Sequence, residues 1–532
     1  MWTDILVVLA YFAAIFSIGL YMGRRQDSLE SYALGNRSLP WWAILASILA
    51  SEISAATFFG TPEAGFQTLN FTYAQLCIGT ILGRAIVGRL FLRPYYQYNV
   101  VSIYQYLQER FGTATRRWAS MTFLISRVLA SGTRLYVAGI LLVIACKSFA
   151  GEPSLSRGQE IWIYVGALTL ITAATAVYTA LGGLKAVVWT DVLQAAILVI
   201  AMFTTLGILY FSLEDGWNTV TSALSAAQSA GGRQPWALFT AGLTDGGFSE
   251  NLRSILGSEY TLWSAFLGAT FITMATHGTD QDMVQRMLAA KNARTGSRAV
   301  ILSGLADLPL VLLFLFVGIL LFAFYQSKGI PWEAQHTDGV FPSFIVHCLP
   351  AGIRGLLFAA LFATAMGSLS TALNALATTA TKDWYQDIFH PHASPAQQLR
   401  AVRLMTLFFA VLLVLVGSVT AYYAVMHGTD GILSIVLGIF GYTYGSLLGI
   451  FLLGMLTRTR GNDFGNCAAM VCGFLAVAAL TDLIPVAGWL QCEMPKIAFP
   501  WRVTIGTLVT FLVGVCFRSP HIASTSHKNE PL

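Results

Sequence analysis

The sequence predicts an all-α polytopic membrane protein with about 13 transmembrane helices, on the strength of three observations. Of its 532 residues, 56% are hydrophobic and only 11% are charged, less than half of the ~25% charged residues typical of soluble domains. The mean hydropathy is +0.65 and the formal net charge is only +5. Apolar runs long enough to cross a bilayer recur along the whole chain. This composition excludes a soluble enzyme, a disordered protein and a nucleic-acid-binding protein, which would concentrate basic residues on a polar surface.

The predicted spans are separated by charged residues or by Gly/Pro breaks, and we number the first of them zero. Span zero has no basic segment before it and no small-residue cleavage site after it, which indicates a retained helix and not a signal peptide. The segment around 215–255 is rich in Gly, Ser and Ala and is too short for a catalytic domain. In chain order, the predicted spans are 2–21, 41–66, 73–92, 118–145, 161–181, 186–211, 256–281, 299–325, 344–378, 402–425, 433–456, 467–484 and 503–517.

Lys and Arg are concentrated in alternate loops, which predicts the orientation of the chain, because cytoplasmic loops carry the excess of basic residues. The loops 67–72 and 426–432 contain neither residue. We therefore expect a multi-pass protein of the plasma membrane with the N-terminus outside and the C-terminal tail inside. The basic loops and the tail contain Arg24, Arg25, Arg37, Arg110, Arg116, Arg117, Arg286, Lys291, Arg294, Arg298, Arg458, Arg460, Arg518 and Lys528.

Span one carries a polar cluster, Ser51-Glu52-Ile53-Ser54, at mid-depth, followed by Gly-Thr-Pro at 60–62. Ionisable side chains inside a span are functional candidates, and a broken helix exposes backbone carbonyls that suit a dehydrated cation. We therefore expect span one to be interrupted near the Gly-Thr-Pro sequence. Arg84, in span two, is interpreted as a side chain that reaches toward the cytoplasmic interface.

Span eight repeats the pattern of small polar residues. Thr364, Gly367, Ser368 and Thr371 follow i, i+3, i+4 and i+7 spacing and therefore share one face of a helix. This face suits either close helix packing or a site for a hard cation such as sodium, and the spacing does not choose between the two.

Asp191 lies about two turns into span five, where a carboxylate needs a proton or a cation. Span six ends in a polar break, Thr-His-Gly-Thr-Asp-Gln at 276–281. Spans one and six each open a group of five, and each is interrupted. Interruptions at corresponding positions of two halves indicate a binding site at the membrane midplane of a transporter.

Several long motifs in order make the chain resemble the sodium:solute symporter family, from span zero to about residue 460. They are 35–42 (GNRSLPWW), 47–62, 102–107 (SIYQYL) with 110–112 (RFG), 181–191, 278–281 (GTDQ) with 285–286 (QR), 368–374 (SLSTALN), and 441–445 (GYTYG) with 456–458 (LTR).

The resemblance implies a LeuT-type fold, in which spans one to five and six to ten form two inverted repeats. The implied organisation is an extra N-terminal helix (1–22), a first repeat (40–215), a second repeat (250–457), two C-terminal helices (465–518) and a cytoplasmic tail (519–532). The implied activity is sodium-coupled symport of a small organic solute, such as a sugar, a sialic acid or a carboxylate, by alternating access. Sodium would be the coupling ion, with no organic cofactor.

The resemblance also implies a first sodium site at Ala50, Ile53, Thr364, Gly367 and Ser368, made of carbonyl oxygens and the Ser368 hydroxyl. Many members have Ser where this chain has Gly367, so one ligand oxygen is missing. We consider the hypothesis that Glu52, beside Ile53, supplies the missing oxygen, directly or through water. A second site in some members, including those that resemble sialic-acid symporters, falls on Asp191, Ser370 and Thr371. Alternatively, Asp191 only hydrogen-bonds span eight.

Solute contacts are predicted at residues of several spans. Ser54, Thr57 and Gln75 resemble polar contacts of sialic-acid-type members, and Thr57 disfavours a simple hexose. Arg127 and Arg134 lie seven residues apart on one face of span three and either pair with carboxylates such as Glu52 or Glu63 or bind an anionic solute. Three further candidates for solute contact are Glu52, Asp280 and Gln281. For Asp280 and Gln281 the alternative is that they cap the helix at the break.

Three other functions compete with sodium symport. A proton-coupled symporter of the same fold remains open because of Glu52 and Asp191, and the same fold can also serve as a solute sensor. A membrane-embedded enzyme is disfavoured, since no H-E-x-x-H, G-x-S-x-G or P-loop sequence occurs. The expected partners are a small-molecule solute, sodium ions and the lipid bilayer, with no nucleic acid and no obligate protein partner.

Overall fold

The structure is a computed structural model that describes residues 2–23, 26–150, 155–231, 234–330, 339–427, 432–481, 483–484 and 497–519. Arg24, Arg25, Lys528 and most of the predicted tail lie outside the described residues. The described helices are α1 Trp2–Gly23, α2 Leu29–Leu34, α3 Trp41–Glu52, α4 Ala55–Thr68, α5 Thr72–Gln97, α6 Tyr104–Arg110, α7 Thr113–Ala150, α8 Arg157–Phe211, α9 Trp217–Gly231, α10 Phe248–Gly257, α11 Ala269–Gly278, α12 Gln281–Leu288, α13 Ala293–Ser327, α14 Val340–His347, α15 Ile353–Phe389, α16 Pro395–His427, α17 Ile432–Leu456, α18 Asp463–Leu480 and α19 Phe499–Val515.

The described residues pair as β-structure at isolated bridges only, so the predicted all-α class is confirmed. Each predicted span overlaps at least one helix. Eight of the described helices are long and apolar enough to cross a membrane, and α3 and α4 together form one more, bent span. The number of 13 spans stays a prediction, because α8 alone covers predicted spans four and five.

Helix α8 contains a sharp break at Gly183, which separates its two predicted spans. Gly183 has φ +54° and ψ −159°, a conformation that only glycine adopts readily. A Cβ atom there would also lie 2.6 Å from the carbonyl oxygen of Tyr32. The predicted boundary between spans four and five, at 181–186, therefore coincides with a real change in chain direction.

Two predicted boundaries are wrong. Span eight, expected at 344–378, consists of the short helix α14 and the long helix α15, which are separated at Gly352 with φ +90°. The break in span one lies between α3 and α4 at Ile53–Ser54, with a bend of 70°, and not at Gly-Thr-Pro. Pro62 continues inside α4, because membrane helices accommodate a proline through their neighbours.

Helix α15 forms the centre of the bundle. In its most apolar 18-residue window 89% of the residues are buried, against 17% in α1, which lies at the periphery. Helices α1, α3, α8 and α16 pack around α15. The small residues of α15 allow these neighbours to approach closely, as is usual where helices pack inside a membrane. The polar face predicted in span eight therefore lies inside the protein.

Candidate ion and solute sites

The break between α3 and α4 changes the hydrogen bonding of the backbone around Ala50. In a continuous helix the Ser54 N–H would donate to the Ala50 carbonyl, four residues earlier. Here it donates to the Glu52 carbonyl at 2.9 Å. Ile53, with ψ 87°, lies between the two helices, and α4 begins with the Phe58 N–H donating to the Ser54 carbonyl at 2.8 Å. The break thus removes the helical donor of the Ala50 carbonyl, which a cation can use instead.

The predicted residues of α15 face this break. A Cβ atom built on Gly367 would lie 3.3 Å from the Ala50 carbonyl oxygen, so the two helices are in close contact there. Ser368 donates its hydroxyl to the Thr364 carbonyl at 3.1 Å. Ser368 also lines a small cavity with Ala55, the first residue of α4. The structure therefore brings the predicted ligands Ala50, Gly367 and Ser368 to the same region.

Asp191 is fully buried on α8 and lies next to the same face of α15. Its Oδ2 accepts a hydrogen bond from the Ser47 hydroxyl at 2.5 Å and lies 3.9 Å from Arg286 Nε. Ser370 and Thr371 donate their hydroxyls to the carbonyls of their own helix, at 3.1 and 2.9 Å. Each hydroxyl oxygen keeps acceptor capacity for a cation.

Glu52 does not lie at the predicted sodium site, which corrects one expectation. Both of its carboxylate oxygens are 2.5 Å from Arg84 Nη2, and His277 Nε2 lies 3.1 Å from Oε1. Arg84 is fully buried and also donates to the Ser303 hydroxyl at 2.7 Å. The prediction that Arg84 reaches toward the cytoplasmic interface is therefore wrong. The pair holds Glu52 on the side of α3 that faces α5, away from α15.

A cavity of about 400 Å³ lies beside the break and is lined by both Ser54 and Thr57, two of the predicted solute contacts. Arg134, Tyr73 and Phe440 complete much of its wall. Two larger cavities, of about 510 and 610 Å³, lie next to it and share wall residues with it. A site of this size holds a small organic molecule.

The two arginines of α7 have different surroundings. Arg127 Nη1 lies 3.1 Å from Asp280 Oδ2, and its Nη2 contacts Asp282. The Arg134 guanidinium lies over the Phe440 ring, 5.1 Å from its centroid. Among the described residues, no carboxylate lies within ion-pair distance of Arg134. The structure thus pairs Arg127 internally and leaves Arg134 at the cavity.

Three other predicted solute contacts make hydrogen bonds within the protein. Asp280 caps α12 by accepting from the Asp282 N–H, and also accepts from the Tyr444 hydroxyl at 2.5 Å. Gln281 bridges the backbone of Val101 and Ile103 at 2.9 Å. Gln75 accepts from the Thr240 N–H at 3.2 Å and is not part of the wall of the 400 Å³ cavity.

The end of the bundle that holds α6 and the end of α15 is closed by a polar network. Arg116 Nη2 pairs with Asp383 Oδ1 at 2.8 Å, and Asp383 accepts from the Ser102 hydroxyl at 2.6 Å. The cavities extend toward the opposite end, where Glu63 and Gly339 line the widest of them.

Discontinuous helices that meet a buried carboxylate and a solute-sized cavity are typical of secondary transporters. The sequence model of the sodium:solute symporter family matches residues 32–473, so the chain belongs to the sodium:solute symporter family. The predicted class, sodium-coupled symport of a small organic solute by a protein that is not an enzyme, is thereby confirmed.

The chain is similar to several characterised transporters. It is 27% identical to the sodium/sialic acid symporter NanT of Aliivibrio fischeri over 96% of this chain and 91% of that one. Identity is 26% with the sodium/sialic acid symporter SiaT of Proteus mirabilis, over 89% and 88%. Identity with human sodium-coupled monocarboxylate transporter 1 is 24%, over 92% of this chain and 74% of that one. The solved substrate-bound, outward-open structure of a Na⁺-coupled sialic acid symporter superposes with a TM-score of 0.78 at 24% identity, over 97% of both chains, which supports the LeuT-type fold.

Sequence reasoning missed Ser47, Gln194 and Asp282 as neighbours of the ion and arginine sites. Ser47 lies at the start of a quoted motif, and Gln194 lies one turn after Asp191, so both stand at positions that helix periodicity could have flagged. Asp282 gave no such signal, because its contact with Arg127 joins α12 and α7 across the fold.

Proposed function

We propose that this protein is a sodium-driven symporter of a small organic solute that bears a carboxylate group. The observation that carries the proposal is Arg134, a guanidinium at the wall of the solute-sized cavity with no carboxylate partner among the described residues. An arginine inside a membrane is stabilised by an anionic partner, and a planar carboxylate can accept two of its hydrogen bonds. Ser54 and Thr57 offer hydroxyl groups to the rest of the solute on the same wall.

Three of the relatives support this class of solute. Two of them are named as sialic acid symporters and one as a monocarboxylate transporter, and all of these solutes carry a carboxylate. Sialic acid is therefore the first candidate solute for this chain. A neutral hexose would leave Arg134 unpaired, which disfavours it.

For the ions, we propose a first sodium site at the Ala50, Ile53 and Thr364 carbonyls with the Ser368 hydroxyl and the backbone of Gly367. A second ion would bind Asp191 with Ser370 and Thr371. Sodium at the first site would bridge the break in span one to α15 and stabilise the arrangement in which the cavity is open. Solute binding would then favour closure over the cavity, and opening at the Arg116–Asp383 end would release the solute and the ions.

We also propose that the chain crosses the plasma membrane with the N-terminus outside and the C-terminus inside, and that it transports without an obligate protein partner. The two repeats would span 40–215 and 250–457, flanked by the extra helices 1–22 and 465–518 and by the tail 519–532. A reporter that fluoresces only in the cytoplasm, fused to the C-terminus, tests the orientation. Fluorescence is the expected result, and a dark but intact fusion would overturn the orientation.

The solute class can be tested by binding to the purified protein. Thermal stabilisation would be measured with sialic acid, short carboxylates, amino acids, hexoses and inositols, in sodium and in potassium. We expect stabilisation by a carboxylate solute in sodium only, and its loss in Arg134→Gln. Arg117→Gln, on the exposed end of the same helix, is the control and should bind normally. Binding that survives Arg134→Gln would contradict the proposed contact.

A further inference from the structure

Two buried oxygen atoms point at the same place beside Gly367. They are Asp191 Oδ1 and Gln194 Oε1, on residues that are 0% and 1% exposed, and neither accepts a hydrogen bond within the described part of the chain. A Cβ atom on Gly367 would lie 2.8 Å from Gln194 Oε1, 3.3 Å from the Ala50 carbonyl oxygen and 3.7 Å from Asp191 Oδ1. A carboxylate, an amide and a backbone oxygen therefore lie within 3.7 Å of one position beside Gly367.

The orientation of the Gln194 amide is set by the extra N-terminal helix. Its Nε2 donates to the Tyr11 hydroxyl of α1 at 3.3 Å, and that hydroxyl in turn points to Met366 Sδ at 3.6 Å. Since the nitrogen is bound on the α1 side, the oxygen is turned toward Gly367. Burying amide and carboxylate oxygens without a donor is costly, and a bound cation removes that cost.

The charges around this point leave room for one monovalent cation. Asp191 lies near Arg286, which also lies 3.4 Å from Asp282, and Arg127 contacts both Asp280 and Asp282. This connected network contains three carboxylates and two guanidinium groups, a net charge of −1 when all are ionised. Tyr444, which donates to Asp280, adds no charge. One sodium ion next to Asp191 would make the network neutral.

We propose that Gln194 adds an oxygen ligand to the second sodium site, next to Asp191, and that the Ala50 carbonyl of the first site is shared between the two ions. Gln194 supplies the oxygen that a side chain at residue 367 would otherwise provide, and the absence of a side chain there makes the room for it. A serine at residue 367 and the present Gln194 conformation exclude each other, because the serine Cβ would lie only 2.8 Å from the amide oxygen. All three ligands are hard oxygen donors, which suits sodium. The inference rests on the proposed sodium coupling.

The test is equilibrium binding of radioactive sodium to the purified protein, which does not depend on transport. The wild type should bind two sodium ions per chain, and Gln194→Leu should bind one, or bind the second at least tenfold more weakly. Gln194→Glu keeps an oxygen at the same place and should retain two. Thr205→Val removes a buried polar group elsewhere on the same helix, a hydroxyl that donates to the Ala201 carbonyl, and should leave sodium binding unchanged.

A rescue variant separates a ligand from a structural role. Gln194→Ala should lose the second ion, and adding Gly367→Ser to it should restore binding, because the serine hydroxyl enters the vacated space. Two tightly bound ions in Gln194→Leu, no rescue in the double variant, or a single ion in the wild type would each overturn the inference while leaving sodium symport intact. A wild type that binds no sodium would instead overturn the proposed function.

Discussion

At the scale of single residues, most of the ionisable side chains inside the helices pair with one another. Glu52 pairs with Arg84, and Arg127 pairs with Asp280 and Asp282. Such pairs keep the charges compatible with a membrane interior. Two residues stand apart: Arg134 has no ion-pair partner among the described residues, and Asp191, although it lies 3.9 Å from Arg286, keeps one oxygen without a hydrogen-bond donor. These two residues are where we place the solute and an ion.

Glu52→Gln should destabilise the protein without weakening sodium binding. The substitution leaves Arg84 buried without its main counter-charge, and breaking a buried ion pair from one side costs about 3–5 kcal/mol. We expect a clearly lower melting temperature in detergent. Gel filtration of heated samples measures it. The double variant Glu52→Gln/Arg84→Leu should recover part of this loss. Unchanged stability together with weaker sodium binding would instead place Glu52 at the ion site.

Asp191→Asn should weaken sodium binding at the second site. The amide keeps a hydrogen-bond acceptor for Ser47 but loses the charge that attracts the ion. We expect the apparent affinity for one sodium ion to fall about tenfold or more, equivalent to ~1.4 kcal/mol, in sodium-dependent solute binding. Ser370→Ala is the milder comparison. Equal sodium dependence in Asp191→Asn and the wild type would favour the alternative that Asp191 only supports packing.

The sequence identified Asp191 and the polar face of α15 because ionisable and hydroxyl residues stand out in an apolar chain. It could not assign partners to Arg84, Arg127 and Arg134, because their side chains meet residues 32 to more than 150 positions away. Periodicity places a residue on a face of its helix, but it does not say which helix lies opposite.

At the scale of helices, α4 and α13 cross in close contact through two glycines. A Cβ atom on Gly65 would overlap the Leu315 carbonyl oxygen, and one on Gly318 would overlap the Pro62 carbonyl oxygen. Such contacts of small residues with backbone are how membrane helices pack closely. They also fix α4, whose first turn carries the proposed solute contact Thr57, against a long neighbouring helix.

Gly318→Ala should therefore separate α4 from α13 and destabilise the protein by about 1–3 kcal/mol, the usual cost of overpacking. The measurement is the thermal denaturation of the purified variant. Gly60→Ala, within α4, is the matched control, because a Cβ atom at residue 60 meets nothing within 4 Å. Equal melting temperatures for the two variants would contradict the close crossing.

The broken helix of span one could be predicted, but its position could not. Pro62 and Gly60 looked like the break, yet α4 runs through both of them. The real break, at Ile53–Ser54, lies beside the contact of Ala50 with Gly367 and the pairing of Glu52 with Arg84. These contacts come from α15 and α5, so local sequence signals did not reveal them.

At the scale of the whole molecule, the closed end and the open cavities describe one state of an alternating-access cycle. Asp383→Asn should weaken this closure, because it removes the charge that holds Arg116 and weakens the bond to Ser102. We expect the distance between spin labels at Glu109 and Phe389 to shift to larger values in pulsed electron resonance. The control carries the same labels and a substitution of an exposed residue, Gln67→Ala. An unchanged distance distribution would show that the pair does not hold the closed end.

The measurement that tests the central claim most directly is solute uptake into proteoliposomes that contain only this protein. An inward sodium gradient would be compared with potassium at equal pH, and with a proton gradient alone. The account predicts that sodium drives the accumulation of a carboxylate solute, with sialic acid tested first, and that Arg134→Gln abolishes it. Accumulation driven by protons without sodium, or uptake of a neutral solute that is unaffected by Arg134→Gln, would contradict it.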